Sequence, residues 1–448
     1  MIIFLFVSFI YCITINSAIA LPLDKQIYQP YSKPLENDNY EVFLDGLTAS
    51  ANNIYQFELL GLTQGRTDFE PWAASYWPIY LGILGNRYAD SDMHKSKRFS
   101  DNYSTFLSYP AEFYLANQQI YKLSPAEKYD LLVGDHNWTL TKAMWQRGRD
   151  DMDSGGVANW TGICHGWSAA AHMGVKEAQK SVKVLDVTGT YQIEFYADDI
   201  QGLESYLWAK SSPITIQAGS RCKQDSVVRD PYLRPVDPAC LNLNPMTWHM
   251  VILNRVGISQ KSFVMDSSSG PEVWNYPISS YDYSYFNPRT FETTHLLKAA
   301  IEPIQNLNTD KYRTYRNPMS KFVVGIVMDI FHPELISAQV GNSNGPNAIQ
   351  TETYIYDLEL DENYNIIGGE WYSKSRPDFL WTFPAGSQAI AREDLAIQNL
   401  WDTKLPLPKD YSDQARSASQ HGRVLSKIVN TLLNESLIMT DDVVNPIQ

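Results

Sequence analysis

Cys164 lies in the stretch NWTGICHGWSAAAHMG, residues 159–174, and its position favours nucleophilic chemistry. Gly162 allows a tight turn before the cysteine, and the residues after it are good helix formers. A thiol in the first turn of a helix is close to unpaired backbone N–H groups and to the positive end of the helix dipole. We therefore expect a lowered thiol pKa and N–H groups that can receive an oxyanion during acyl transfer.

A nucleophilic thiol needs a base, and His249 is the candidate among the eight histidines. It lies in MTWHMVILNRV, which alternates like a strand, and KSFVMDSS is the next strand-like segment. The residues between them, which include Gly257, predict a β-hairpin in which Asp266 lies a diagonal step from His249. An aspartate there would orient the imidazole and stabilise its cation, so Cys164, His249 and Asp266 form a predicted catalytic triad. Strand histidines and aspartates that follow strands also have purely structural roles.

The N-terminal residues 1–20, MIIFLFVSFIYCITINSAIA, predict a secretory signal peptide that is cleaved after Ala20. The segment has no Lys or Arg before its apolar run, so an uncleaved membrane anchor remains an alternative. No other apolar run is long enough to span a membrane. We therefore expect a secreted, extracellular protein with no membrane attachment after cleavage.

The cysteine count supports a free thiol at position 164. Of the four cysteines, Cys12 leaves with the signal peptide, and Cys222 and Cys240 flank an irregular loop rich in Pro, Asp and Arg. We predict an intramolecular disulfide between Cys222 and Cys240, which would stabilise the loop by about 3 kcal/mol. Cys164 is then an unpaired cysteine in an oxidising compartment, either a reactive thiol or a buried structural one.

The composition excludes some partners. The net charge of −14 argues against nucleic-acid binding, because the phosphate backbone requires Lys and Arg. The 28 tyrosines and 12 tryptophans fit an extracellular β protein or a groove for peptide or sugar.

Helices and strands alternate along the chain in a pattern typical of a mixed fold. LSPAEKYDLLVGD predicts a helix, with Ser124 as N-cap, Pro125 at the first helical position and Glu127 completing a capping box. Other segments also have clear periodicity or propensity: helices are predicted in HNWTLTKAMWQRGRD, in SAAAHMGVKEAQ and over 196–210 and 413–437, strands over 181–200, and a hairpin in TETYIYDLELDENYNIIGGEWY.

Several separated segments resemble elicitor-type transglutaminases of oomycetes and their bacterial relatives. The resemblance spans roughly residues 70–385 and is carried by NWTGICHGWSAAA, NPMTWHMVILNRVG, SFVMDSSSGPEVWNYPISSYDYSY, YWPIYLGILGNRYAD, LSPAEKYDLLVGD and YDLELDENYNIIGGEWYSKSRPDFLW. It implies an α+β fold with a papain-like, transglutaminase-like core, in which the cysteine helix packs on an antiparallel sheet, with helical additions at both ends. The predicted organisation is a signal peptide (1–20), an N-terminal extension long enough for a pro-segment (21–100), the catalytic core (101–385) and a C-terminal helical region (386–448).

The resemblance also implies an activity, protein-glutamine γ-glutamyltransfer. Cys164 would be the nucleophile, His249 the base and Asp266 its orienter, acting on protein substrates with accessible glutamine and lysine. The glutamine carboxamide forms a thioester, which passes to a lysine amine or to water. PEVWNYP resembles the family segment that plants sense, but the sequence departs from that segment after its Trp-Asn-x-Pro core.

Three features remain open. The chemistry requires no cofactor, but the acidic stretches DDMDSGG and DLELDEN leave calcium as a candidate partner, although neither matches an EF-hand. Trp160 and Trp167 are close enough in sequence to donate an indole N–H to an oxyanion, although core packing is the favoured interpretation for both. The alternatives to a transglutaminase are a papain-like secreted thiol peptidase and a non-catalytic cell-surface or host-binding protein.

Overall fold

The computed structural model describes residues 38–44, 52–93, 95–211, 213–231, 234–343 and 347–438. The predicted signal peptide and its cleavage site after Ala20 lie outside these residues. Within the described ranges, every helix is too short or too polar to cross a bilayer.

Helices and antiparallel strands alternate through the described residues. The α-helices are α1 (Ile54–Leu59), α2 (Phe99–Ser108), α3 (Ala111–Ala116), α4 (Pro125–Leu132), α5 (Thr139–Asp153), α6 (Cys164–His172), α7 (Ala197–Ser211), α8 (Pro245–Ile252), α9 (Leu297–Ala300), α10 (Lys409–Ser419) and α11 (Ser426–Leu437). The strands are β1 (Gln64–Arg66), β2 (Val182–Leu185), β3 (Gln192–Phe195), β4 (Ile216–Gly219), β5 (Val264–Asp266), β6 (Asn275–Pro277), β7 (Ser280–Phe286), β8 (Thr293–Thr294), β9 (Glu302–Pro303), β10 (Phe322–Pro333), β11 (Ile349–Leu360), β12 (Ile366–Trp371) and β13 (Phe379–Thr382).

The strands form a large sheet and two smaller ones. The large sheet has the order β1-β7-β10-β11-β12, with β8 paired to β7 and β9 paired to β10. A second sheet has the order β4-β13-β5-β6, and β2 pairs with β3. All these pairings are antiparallel, so the predicted α+β class is confirmed.

Two hydrophobic cores lie on the two faces of the β4-β13-β5-β6 sheet. The first core, which we call the helical core, is built by α4, α5, α6, α7, α10 and α11 and includes Cys164 and Trp381. The second, the sheet core, is built by β7, β10, β11 and β12 with α1 and α8. Neighbouring residues of β5 divide between them, because Val264 belongs to the helical core and Met265 to the sheet core. The strand β5 therefore lies at the boundary of the two.

Most local predictions are confirmed. The α4 helix has the predicted capping box, in which the Ser124 hydroxyl accepts from the Glu127 N–H and the Glu127 carboxylate accepts from the Ser124 N–H. The helices α5 and α7, the strands β2 and β3 and the β11–β12 hairpin also form where predicted. The SAAAHMGVKEAQ helix is shorter than predicted, because α6 ends at His172 and Gly174 follows with a φ of 78°.

The single helix predicted over 413–437 is wrong. Two helices, α10 and α11, occupy this region, and the chain turns between them at Gly422, whose φ is 60°. The left-handed conformation of this glycine ends the first helix and allows the second to pack on α7. Both helices bury residues in the helical core.

The hairpin predicted between His249 and Asp266 is also wrong. MTWHMVILNRV forms the helix α8, which continues as a π-helical turn over Leu253–Ile258. The Asn244 side chain caps α8 by accepting from the Met246 N–H, and Pro245 occupies the first helical position. These start signals and the intrahelical hydrogen bonds override the strand-like alternation.

The contacts of the residues before position 100 bear on the boundary predicted there. The strand β1 pairs with β7 in the large sheet, and Phe57 of α1 is fully buried in the sheet core. Trp77 is buried in the helical core. Tyr40 and Phe43 are also buried in the sheet core, so a pro-segment that is removed without disturbing the cores would have to end before residue 38.

Candidate active site

Cys164 is the first residue of α6, as predicted, and a tight turn brings the chain to it. The Ile163 N–H donates to the Tyr76 carbonyl oxygen at 2.8 Å, which ties the turn to the segment before it. A Cβ at Gly162 would lie only 2.4 Å from the same oxygen, so a glycine is needed at this close approach. The turn and the helix start together fix the position of the thiol.

The strands β5 and β6 cover the N-terminal end of α6 and bring an amide to the sulfur. Asp266 and Asn275 are cross-strand partners at the end of this pair. The Asn275 Nδ2 donates to the Cys164 Sγ at 3.5 Å, and the Trp381 Nε1 donates to the Asn275 Oδ1 at 2.7 Å. The indole therefore fixes the orientation in which the amide N–H₂ points at the sulfur.

The thiol is buried in this structure, and burial favours its neutral form. Burial raises the pKa of the Cys164 thiol, the side-chain and backbone N–H groups of Asn275 lower it, and the charge of Asp266 raises it further. The predicted lowering of the pKa is therefore wrong for this conformation, because desolvation outweighs the N–H groups at the helix start. The thiol also contacts the Val273 carbonyl oxygen at 3.9 Å, as a weak donor.

Asp266 is a fully buried carboxyl group close to the thiol. Its Oδ1 accepts from the Trp274 N–H at 2.9 Å and from the Ser268 N–H at 3.3 Å. Its Oδ2 is buried and has no hydrogen-bond partner among the described residues. Burial raises the pKa of Asp266 to about 7, a value suited to proton transfer at neutral pH.

Residues 267–274, which we call the cover segment, lie over the thiol. The Trp274 ring packs edge-on against Tyr76 with centroids 5.5 Å apart, and the Arg221 Nε donates to the Pro271 carbonyl oxygen at 3.1 Å. The Arg221 guanidinium lies over the Trp160 ring, 5.4 Å from its centroid. The entrance to the thiol is therefore bordered by aromatic rings and one guanidinium.

Trp167, the other tryptophan considered for the oxyanion, has a packing role. It is fully buried in the helical core, and its Nε1 donates to the Trp72 carbonyl oxygen at 2.9 Å. Its N–H is thus already used. The favoured interpretation of Trp167 as a core residue is confirmed by this geometry.

His249 is not brought to Cys164. It lies on α8 in the sheet core, where its Nδ1 is 2.8 Å from the Tyr356 hydroxyl and its ring packs against Phe57, Tyr283 and Tyr356. Burial lowers the pKa of His249 to about 3, so the imidazole is neutral and weakly basic at pH 7. The role of His249 as the base remains a prediction, and this position does not favour it. Cys164 and Asp266, by contrast, lie close enough for the Asp266 charge to raise the thiol pKa.

Sequence reasoning missed the residues that complete the surroundings of the thiol. Asn275 lies inside the PEVWNYP segment, which was noted only for its resemblance. Its neighbour Tyr276 lies between Trp167 and His332, with ring centroids at 6.1 and 4.2 Å. The His332 Nε2 is buried, 3.6 Å from the Glu352 carboxylate. The alternation in β6 and β10 indicates strands, but it does not reveal that these strands meet at α6.

The predicted disulfide between Cys222 and Cys240 is present, and Cys164 is free. The Cys222 N–H donates to the Asp378 carboxylate at 2.9 Å, and the Asp378 N–H donates to the Asp266 carbonyl oxygen at 3.2 Å. The disulfide loop is therefore anchored through Asp378 to the backbone of Asp266, the residue whose charge acts on the thiol.

The two acidic stretches considered for calcium have other roles. The Asp357 and Glu359 carboxylates pair with the Arg316 guanidinium inside the protein, and residues 150–153 form the last turn of α5. Within the described ranges no group of three or more His, Cys, Asp or Glu side chains is arranged to hold a metal ion. Calcium dependence remains a prediction.

The chain was compared with protein families, curated proteins and solved structures. A family model described as Transglutaminase elicitor matches residues 50–395. No curated protein matches the chain. The crystal structure of the GP42 transglutaminase from Phytophthora sojae matches with 18% sequence identity and a TM-score of 0.50, and the match covers 87% of this chain and 98% of that chain. At 18% sequence identity, this structural match is evidence for the fold of the chain alone.

Proposed function

We propose that this chain, which belongs to the transglutaminase elicitor family, is a secreted protein-glutamine γ-glutamyltransferase with Cys164 as its nucleophile. The observation that carries the proposal is a free thiol at a helix start, close enough to Asp266 for that charge to raise the thiol pKa, with the Asp266 Oδ2 buried and without a hydrogen-bond partner among the described residues. A nucleophile and a base with a pKa near 7 are the two groups that acyl transfer requires. The Cys222–Cys240 disulfide supports secretion, because such bonds persist in oxidising compartments.

In the first half of the reaction, the Asp266 carboxylate accepts the thiol proton as the Cys164 sulfur attacks the glutamine carboxamide carbon. A carbon–sulfur bond forms, and the carbon–nitrogen bond of the carboxamide breaks. The leaving nitrogen takes the proton from Asp266 and departs as ammonia. The products are a γ-glutamyl thioester on Cys164 and a regenerated carboxylate.

In the second half, a lysine amine attacks the thioester carbon and gives its proton to Asp266. An isopeptide bond forms, and the carbon–sulfur bond breaks. The proton returns from Asp266 to the leaving thiolate, which restores the resting thiol. Water in place of the amine gives glutamate, so deamidation is the side reaction of the same intermediate.

The oxyanion of each tetrahedral intermediate needs preorganised donors. The Cys164 N–H at the start of α6 has no carbonyl partner within the helix. Asn275 adds a side-chain N–H₂ whose orientation is fixed by Trp381. We assign these two groups as the donors, with Asn275 moving from the resting sulfur to the oxyanion.

Substrate access requires the cover segment to move. In the resting structure the Val273 carbonyl oxygen contacts the thiol, the neighbouring Trp274 ring packs against Tyr76, and Cys164 is 5% exposed. A glutamine side chain must displace these residues before it reaches Sγ. Displacement also admits solvent, which reduces the burial that raises the thiol pKa.

The test is incorporation of a labelled primary amine into casein by the secreted full chain, with and without calcium. Cys164→Ala and Cys164→Ser serve as inactive forms, and their thermal midpoints are measured to confirm folding. Labelling by the wild type alone supports the proposal. Cys164-dependent ammonia release without labelling would indicate a deamidase, new peptide termini would indicate a peptidase, and no Cys164-dependent product would indicate a non-catalytic protein.

A further inference from the structure

A cleft of about 590 Å³ lies between the disulfide loop and the outer strand β12. One wall consists of residues 240–245, which follow the disulfide and lead into α8. The opposite wall consists of residues 369–374 at the end of β12. This volume is typical of ligand-binding sites and is large enough for several side chains of a bound peptide.

The cleft is positively charged in a protein that is acidic overall. Its lining includes five basic residues: Arg229, Arg234, Lys311, Lys374 and Arg376. Only two lining residues are acidic, Asp38 and Glu370, and Glu370 is already paired with Arg234. Because the whole chain has a net charge of −14, this concentration of positive charge is a local feature that attracts anions.

Arg376 is the residue that points most directly to a ligand. Its Nε donates to the Asn242 Oδ1 at 2.6 Å, and its terminal nitrogens have no hydrogen-bond partner among the described residues. Burial and the nearby charge of Arg229 lower the pKa of Arg376, Tyr312 and Glu370 raise it, and Arg234 lowers it, with a net lowering. A half-buried guanidinium with unused donors is suited to a bidentate anion.

The cleft also has aromatic walls and a link to the active site. The Tyr312 and Tyr372 rings pack edge-on at 5.4 Å, and the Lys311 ammonium lies over both rings. At the other end, the Ser269 hydroxyl of the cover segment donates to the Lys374 carbonyl oxygen at 3.4 Å. A segment bound in the cleft therefore lies beside the residues that cover the thiol.

We propose that this cleft binds the acidic part of the protein substrate, Asp or Glu side chains that flank the reactive glutamine. The inference rests on the proposed transglutaminase function and specifies its substrate class. Carboxylates match the guanidinium geometry, and the link through Ser269 and Lys374 places the bound segment next to the cover segment. Binding in the cleft thus positions the glutamine of the same polypeptide at the covered thiol.

The first experiment measures binding without catalysis. Cys164→Ala protein is titrated with fluorescent peptides that carry one glutamine and two Asp residues at varied spacing, and with matched peptides in which Asn replaces Asp. We expect the best Asp peptide to bind about tenfold more tightly than its Asn partner, with a difference that shrinks as salt is raised. Equal binding of the two peptides at every spacing would overturn the proposal.

Two variants in the Cys164→Ala background locate the site. Arg376→Gln and, separately, Lys311→Gln are expected to reduce the Asp preference to about twofold or less, because each removes a cation that faces the cleft. Arg98→Gln removes an exposed arginine that pairs with Asp101 and should preserve the preference. Lys311 is exposed, so its variant keeps the test valid if Arg376→Gln does not fold. An unchanged preference in folded Arg376→Gln or in Lys311→Gln would exclude this cleft.

The second experiment uses the active protein and separates the two proposals. Amine incorporation into the Asp peptide should exceed incorporation into the Asn peptide through a lower KM, and Arg376→Gln should remove that advantage. Asp-selective binding without any Cys164-dependent incorporation would leave the cleft assignment intact and reject the transferase. Cys164-dependent incorporation without Asp selectivity in either experiment would leave the transferase intact and reject the cleft assignment.

Discussion

The protein buries two groups capable of proton transfer, His249 and Asp266, and their surroundings differ. In the sheet core, His249 is surrounded by the rings of Phe57, Tyr283 and Tyr356, and its Nδ1 meets the Tyr356 hydroxyl. At the boundary with the helical core, Asp266 lies beside a free thiol, with one carboxylate oxygen held by backbone N–H groups and the other without a partner.

The difference shows why burial alone does not identify a catalytic base. Burial lowers the pKa of His249 to about 3, which weakens it as a base, whereas burial raises the pKa of Asp266 to about 7. The same desolvation therefore acts in opposite directions on a cationic and an anionic acid–base pair. Only Asp266 also lies close to the free thiol of Cys164, and this proximity makes it the better candidate.

The largest expected effect comes from Asp266→Asn. The amide keeps the shape of the side chain but cannot accept the thiol proton, so kcat/KM for amine incorporation should fall by about 10²–10⁴-fold. The measurement is the initial rate of labelled-amine incorporation across pH 5–9. Asp130→Asn is the matched control, because Asp130 is also fully buried and burial raises its pKa to about 8, but it bonds to Thr141 in α5. Retention of wild-type kcat/KM by Asp266→Asn would remove Asp266 from the mechanism.

The pH dependence of stability sharpens the same comparison. The folded-state pKa of Asp266, about 7, is above its ordinary value of 3.8, so folding favours the protonated form. Its contribution to stability is fully present below pH 4 and is lost as the pH rises through about 7. Between pH 5 and pH 8, urea unfolding should show a smaller loss of stability in Asp266→Asn than in the wild type, by at most about 3 kcal/mol. Parallel losses in the two proteins would mean that Asp266 is ionised in the folded state.

The corresponding change in the sheet core is His249→Gln. The variant breaks the contact with the Tyr356 hydroxyl and disturbs the aromatic packing, so we expect the free energy of unfolding to fall by about 1–3 kcal/mol. Its kcat/KM should stay within about threefold of the wild type at a temperature where the variant is folded. Tyr356→Phe removes the hydroxyl from the same contact and is the control for the hydrogen bond. A hundredfold loss of kcat in folded His249→Gln would restore His249 as the base.

The sequence predicts the local structure around Cys164 better than that around His249. The start of α6 at Cys164 follows from a local turn and from helix propensity, and the Cys222–Cys240 disulfide follows from counting cysteines. The family resemblance is confirmed by a family model over residues 50–395. These signals are local or involve a few distinctive residue types, so they do not require knowledge of strand pairing.

The error at His249 has a physical cause that the sequence contains. Thr247, His249, Val251 and Leu253 alternate like a strand, but Asn244 and Pro245 are strong signals for a helix start. The short apolar run is buried against the large sheet along most of its surface, so its hydrophobic pattern does not distinguish a helix from a strand. In this segment the start signals predict the structure better than the alternation does.

The amide beside the thiol could not be predicted from local patterns. Asn275 is 111 residues from Cys164 and 106 residues from Trp381, and both hydrogen bonds depend on the order β13-β5-β6 in the small sheet. Alternation identifies each strand but not its neighbours. The site therefore depends on the long-range pairing that a single sequence leaves undetermined.

The smallest expected effect comes from Trp381→Phe, which tests whether the orientation of Asn275 matters. Phenylalanine keeps most of the packing against His172 and Phe383 but loses the indole N–H that donates to the Asn275 Oδ1. Loss of one such hydrogen bond costs about 1 kcal/mol, so kcat should fall about fivefold if the bond holds the amide in its working orientation.

Trp401→Phe is the control for Trp381→Phe. Trp401 is 6% exposed against 7% for Trp381, and its indole N–H donates to the Leu405 carbonyl oxygen, away from the thiol. Both variants should lose a similar amount of stability, because each loses an indole hydrogen bond in the helical core. Only Trp381→Phe should reduce kcat, with KM for the glutamine substrate unchanged, since a misaligned oxyanion donor weakens the transition state and not the ground state. Equal kcat values in the two variants would show that Trp381 stabilises the fold without positioning Asn275, and the oxyanion assignment would then pass to the backbone N–H of Cys164 alone.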